Sequence, residues 1–107
     1  MANTSNILIS QKGEYINFYN KASETARRVN NSLEIIDEII ENEKNAYTID
    51  GDGGENSILN SIRERNQKVL NNINNNILPR IRSRISNLNY QIETALIKEA
   101  EEKNASS

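Results

Sequence analysis

The sequence predicts an all-α protein: an antiparallel two-helix hairpin, with long helices joined by a short glycine-rich bend. Three observations carry that expectation. Apolar residues recur at steps of three and four over two long stretches, a pattern that lays a stripe along a helix and that a strand cannot reproduce. Three of the four glycines fall together in "YTIDGDGGENS", residues 47–57. The two stripes mirror each other across that segment, so folding the chain at the glycines brings them face to face.

The first helix is expected over about residues 6–46. Leu8, Tyr15, Ala22, Val29 and Ile36 form one series spaced by seven, and Tyr19, Ala26, Leu33 and Ile40 form a second, offset by four. Gly13 weakens the first turns by roughly 1 kcal/mol relative to Ala, so fraying is expected before Ser10. The bend is placed at 47–55, with Gly51, Gly53 and Gly54 supplying positive φ at low steric cost. The second helix is expected over about 56–103, along Ile62, Val69, Ile73, Ile77, Ile81, Ile85, Leu88, Ile92 and Ala95, with the polar Asn66 filling one gap. Pro79 lies inside it, off the stripe. Because a proline removes one helical hydrogen bond, a kink near Pro79 is favoured over a break. The whole chain, residues 1–107, reads as one domain.

Charge follows the same fold. Residues 34–55 hold Glu34, Asp37, Glu38, Glu41, Glu43, Asp50, Asp52 and Glu55 against Lys44, while Arg63, Arg65 and Lys68 stand across from them. Each such surface pair contributes little, yet together they oppose a slip of register.

Composition narrows the function. The chain has no Cys, His or Trp. A thiol nucleophile, a thiolate metal site and the commonest general base are therefore missing, and no catalytic constellation emerges. A net charge of −2 announces neither nucleic acid nor an anionic membrane as partner. No run approaches the ~20 apolar residues of a membrane span, and the first residues lack a basic, apolar leader. A cytoplasmic protein is expected, with secretion by a dedicated exporter, without a cleavable signal peptide, left open.

Three tempting motifs read more simply. From Asp50, an EF-hand loop would need an oxygen ligand at Gly54, glycine at Glu55 and a bidentate acid at Ser61. Half the ligand set is missing, so neither metal nor cofactor is expected, and Asp52 and Glu55 are explained as acids near a helix start. "RIRSR" (Arg80, Arg82, Arg84) is expected to be a solvated face rather than a phosphate site. Tyr15 and Tyr19 lie on the core stripe, so with Phe18 they are expected to pack rather than to stack bases.

A two-helix hairpin covers each stripe on one side only. Further apolar residues stand beside the seam: Phe18, Ile35 and Ile39 on the first helix, and Leu59, Leu70, Leu78 and Leu96 on the second. These are the expected partner-binding positions, covered by a second copy or by a helical partner in a four-helix arrangement.

At this point the chain resembles the small helical-hairpin proteins of bacterial type VII secretion, the WXG-type family and the short partners of LXG toxins. The likeness spans nearly the whole chain: its length, two long helices, a central Gly-bearing bend, no Cys and a sequence pI of about 5.2. Where that family carries Trp-x-Gly, this chain has Tyr47-Thr-Ile-Asp-Gly51-Asp-Gly53-Gly54, keeping glycine and lacking Trp. The family's Tyr-x-x-x-Asp/Glu export signal is unmatched, since Glu93 is one residue too near Tyr90 and position 94 is Thr. The resemblance implies a non-enzymatic partner or targeting factor that pairs with the helical N-terminal domain of a larger secreted toxin. Two other classes stay open: a coiled-coil adaptor, chaperone or antitoxin-like protein, and a needle-type secretion subunit.

Overall fold

A computed structural model describes residues 3–47 and 57–105, with side chains described over 3–43 and 58–105. Within them the chain is all-α and folds back as an antiparallel helical hairpin. Helix α1 runs Thr4–Tyr47 and α2 runs Ser57–Asn72; a π-helical turn at Ile73–Ile77 is followed by α3 at Leu78–Ala105. The expected bend, with Gly51, Gly53 and Gly54, lies outside the described residues apart from Tyr47, which ends α1.

The chain divides into two compact units, one of residues 1–22 with 77–107 and one of residues 23–76. In the first, the start of α1 lies against α3 in reversed order: Ser5 bonds Glu99, and further along α1 Tyr19 bonds Arg82. In the second, the rest of α1 lies against α2, tied by the ion pair between Asp37 and Arg63.

The inward stripe of α1 is unbroken. Ser5, Leu8, Lys12, Tyr15, Tyr19, Ala22, Ala26, Val29, Leu33, Ile36, Ile40 and Glu43 are all buried or half-buried, and their steps alternate strictly between three and four. That alternation averages 3.5 residues against about 3.6 per helical turn, so the stripe keeps to one narrow face along the helix. Every apolar residue expected on this stripe is there. Ser5, Lys12 and Glu43 complete it at positions where the sequence shows no grease.

The returning stripe differs from the expected one. On α2 the residues turned inward are Leu59, Asn66, Leu70 and Ile73, whereas Ile62 and Val69 are exposed. On α3 they are Leu78, Ile81, Ile85, Leu88, Ile92, Ala95 and Glu99. Ile77, expected inside, is exposed too. The physical reason is the π turn. Repeated steps of four from Ile73 through Ile77 and Ile81 to Ile85 would rotate the stripe by about 40° each. The wide turn instead takes up one extra residue, so the inward position passes from Ile73 to Leu78 and the three-four alternation resumes in phase. Pro79 sits just beyond it, half-buried rather than turned away from the seam. Lacking an N–H, it leaves the carbonyl four residues back without its helical partner. A π turn immediately before a proline is a place where the ladder can absorb that missing bond. Over the turn, Asn76 Nδ2 donates to Asn72 Oδ1 at 2.8 Å.

The start of α1 is more ordered than Gly13 suggests. The Ser5 backbone N–H donates to Glu99 Oε1 at 3.1 Å, and its hydroxyl donates to Oε2 at 2.7 Å. One carboxylate thus satisfies an otherwise orphaned first-turn N–H and sits at the positive end of the helix dipole. Ser5 is only 2% exposed and Leu88 is fully buried, so this unit has an apolar centre and a polar clamp at its end.

Two outcomes follow from this backbone. A Cβ built at Gly13 meets nothing within 4 Å, so Gly13→Ala should raise stability by about 0.5–1 kcal/mol in denaturant unfolding. Deleting Asn75 together with Pro79→Ala should give a continuous α-helix with an unchanged or higher Tm. Deleting Asn89, where no wide turn can absorb the shift, should lower Tm sharply by turning Ile92 and Ala95 off the seam.

Candidate interaction surface

The apolar positions outside the seam separate into two groups. Phe18, Ile35, Ile39 and Leu96 are exposed, Phe18 and Ile35 by more than half. Leu59, Leu70 and Leu78 are half-buried on the inner stripe. These three leucines are therefore corrected from outer shoulder to seam, for the reason given by the π turn. In their place the outer surface of α2 carries Ile58, Ile62 and Val69, which the sequence pattern did not mark as outer positions. The missing signal was available: Leu59, Asn66 and Ile73 are spaced by seven, matching the period of α1, and Ile62 and Val69 run one position short of Arg63 and Leu70.

In the unit formed by residues 23–76, these exposed residues fall on one flank. Taking about 3.6 residues per turn, Ile35 and Ile39 lie to one side of the α1 stripe, and Ile58, Ile62 and Val69 lie to the same side of the α2 stripe. Two antiparallel helices put those sides together. Arg28 and Arg65 border this flank, and no carboxylate stands on it. Arg65 makes no ion pair among the described residues, whereas Arg28 is engaged by Glu24.

The other flank of this unit is polar. A shallow cleft there is lined by Asp37, Ile40, Glu41, Asn60 and Arg63, and Arg63 Nε donates to Asp37 Oδ1. Asn30, Glu34, Glu64, Gln67 and Asn71 continue it, with Gln67 Nε2 donating to Asn71 Oδ1 at 3.0 Å and Asn30 Nδ2 reaching Glu34. Nothing large and apolar is exposed on this side. One flank can stay wet at no cost, and the other cannot.

The unit of residues 1–22 and 77–107 answers the questions raised by its aromatic and arginine residues. Arg82 lies over the Tyr19 ring, 5.7 Å from its centroid, and donates to the Tyr19 hydroxyl at 2.9 Å. Arg84 lies over the Tyr15 ring at 5.8 Å. Both guanidiniums thus cap seam aromatics, with the planar cation on a ring face. Phe18 stands edge-on to Tyr15, centroids 5.9 Å apart and planes at 87°. Exposed apolar residues here (Ile7, Ile9, Ile16, Ile97 and Tyr90, besides Phe18 and Leu96) are scattered around both helices and form no single flank.

The surface electrostatics are local. The hydrogen bond from Arg27, with smaller help from its charge and from Arg28, holds the Glu24 carboxyl below the usual carboxylate range, and Arg27 is raised in return. Both groups are fully exposed, so this ion pair adds little to stability. Among the described residues no group of three acids could hold a metal ion, and no helix is long and apolar enough to cross a membrane.

Burial separates the two groups of positions experimentally. Ile35→Asp and Phe18→Asp should shift unfolding by less than about 1 kcal/mol, as surface changes do. Leu70→Asp or Leu78→Asp should cost several kcal/mol by burying a charge on the seam, on the order of a lost core leucine or more. Thermal melts followed by circular dichroism read the difference.

Comparison with protein-family models, with curated proteins and with solved structures gives no match for this chain, so the exposed flank itself carries the functional reading.

Proposed function

We propose that this chain is a non-enzymatic helical interaction protein whose exposed apolar positions are completed by further helices into a four-helix bundle. One observation carries the reading. Among the described residues, five apolar side chains are fully buried (Ala26, Leu33, Ile36, Ile73 and Leu88), while thirteen large ones are exposed. A single seam of that size leaves most of the chain's apolar surface in water, and burial stabilises at about 25 cal/mol per Å². Helices packing side by side are the geometry that covers such flanks, at crossing angles of about 20°.

The resemblance to type VII secretion hairpins supports a finer form of the reading. In that form the client is the helical N-terminal domain of a larger secreted toxin, which this chain stabilises or presents to the secretion machinery. The missing Trp-x-Gly and Tyr-x-x-x-Asp/Glu motifs favour an accessory partner over an autonomously exported protein.

Co-expression with such a toxin domain, followed by affinity capture and size-exclusion chromatography, tests both levels. A stable complex is expected. Ile35→Asp with Ile39→Asp should abolish it while the hairpin keeps its helicity. A complex that survives both substitutions would place the contact elsewhere, and no complex with any toxin domain encoded beside this chain would remove the finer reading.

A further inference from the structure

The flank formed by Ile35, Ile39, Ile58, Ile62 and Val69 has a shape and charge that fit one occupant in particular. We propose that it is the contact between two copies of this chain, related by a two-fold axis parallel to the helices. This goes beyond the reading above, because it needs no client and holds or fails on the purified chain alone.

Register is the first argument. In this unit Asp37 pairs with Arg63, and Ile40 shares a cleft with Asn60. Ile39 therefore stands level with Ile62, and Ile35 stands level with the stretch between Ile62 and Val69. A two-fold axis along the hairpin exchanges α1 and α2 without changing level. It lays Ile39 of one copy over Ile62 of the other and sets Ile35 between Ile62 and Val69. The flank is self-complementary without any slip of either helix, as a two-fold interface requires.

Charge is the second. Over residues 34–41, α1 carries Glu34, Asp37, Glu38 and Glu41 and no base, while over 63–68, α2 carries Arg63, Arg65 and Lys68 against Glu64. The same axis sets acidic α1 of each copy against basic α2 of the other, whereas α1 against α1 would oppose four acids to four. Such complementarity chooses the arrangement more than it adds affinity. Arg65 borders the apolar flank without an ion partner in its own hairpin, and the two-fold turns it toward the acidic stretch of the second copy.

The third argument concerns closure. The opposite flank, with Asn30, Asp37, Glu41, Asn60 and Gln67, exposes no large apolar residue. Two copies therefore cover each other's apolar flank and leave nothing to recruit a third there, giving a closed pair of antiparallel hairpins instead of a growing stack.

Light scattering on the purified full chain at micromolar concentration tests this. The expected mass is twice the chain's 12.2 kDa. Ile39→Asp with Val69→Asp should give a monomer. To keep the outcome independent of folding, Arg65→Glu, an exposed change, should weaken dimerisation about three- to tenfold, the effect of reversing one charge at each of two symmetric places. Gln67→Glu on the opposite flank should leave it unchanged. A monomeric parent, a dimer that survives both aspartates, equal effects of Arg65→Glu and Gln67→Glu, or an assembly larger than a dimer would each overturn the proposal.

Discussion

Everything in this molecule depends on the phase of one seam. Two helices can share an apolar contact over some forty residues only if both stripes advance at the same rate, because a stripe that drifts by even a fraction of a turn soon faces water. In α1 the alternation of three and four residues holds without a break from Ser5 to Glu43. Over the returning residues it holds as well, but only because the π turn at Ile73–Ile77 absorbs one residue ahead of Pro79. A proline that would cost about 3 kcal/mol in a regular helix interior is seated where the helical ladder is already altered.

The same constraint explains what could be read from the residues and what could not. The fold class, the antiparallel return and the apolar members of the α1 stripe were legible, since spacing alone specifies them. The α2 stripe was not, because Ile62, Val69 and Ile77 are greasier than the Leu59, Asn66 and Leu70 that turn inward. Hydrophobicity and phase disagree there, and phase wins. The π turn leaves no mark in composition. Its trace is the run of isoleucines at 73, 77, 81 and 85, whose constant step of four no straight α-helix can keep on one face. The polar ends of the seam, Ser5 and Glu99, were invisible for another reason. Neither residue signals burial alone, and only the pair, ninety-four positions apart, makes it favourable.

Polarity is distributed to the same effect around the outside. Arg82 and Arg84 spend their charge on the rings of Tyr19 and Tyr15, so what looked like a basic patch is part of how the aromatic seam is finished. In residues 23–76 the outer positions divide instead into a wet flank and an apolar one. A hairpin with this asymmetry has a direction in which to associate before any partner is specified, and the charge segregation between α1 and α2 sets which helix meets which.

The Ser5–Glu99 clamp has a consequence at the start of α1. The Ser5 N–H is free to meet Glu99 because α1 begins at Thr4, one residue earlier, and no carbonyl a full turn back claims it. Were a leading segment to extend α1 backwards as helix, a main-chain oxygen would compete for that proton and Glu99 would keep only the hydroxyl. The joint thus senses the conformation of whatever is attached ahead of it: a coiled tether leaves the clasp whole, and a rigid helical one loosens it.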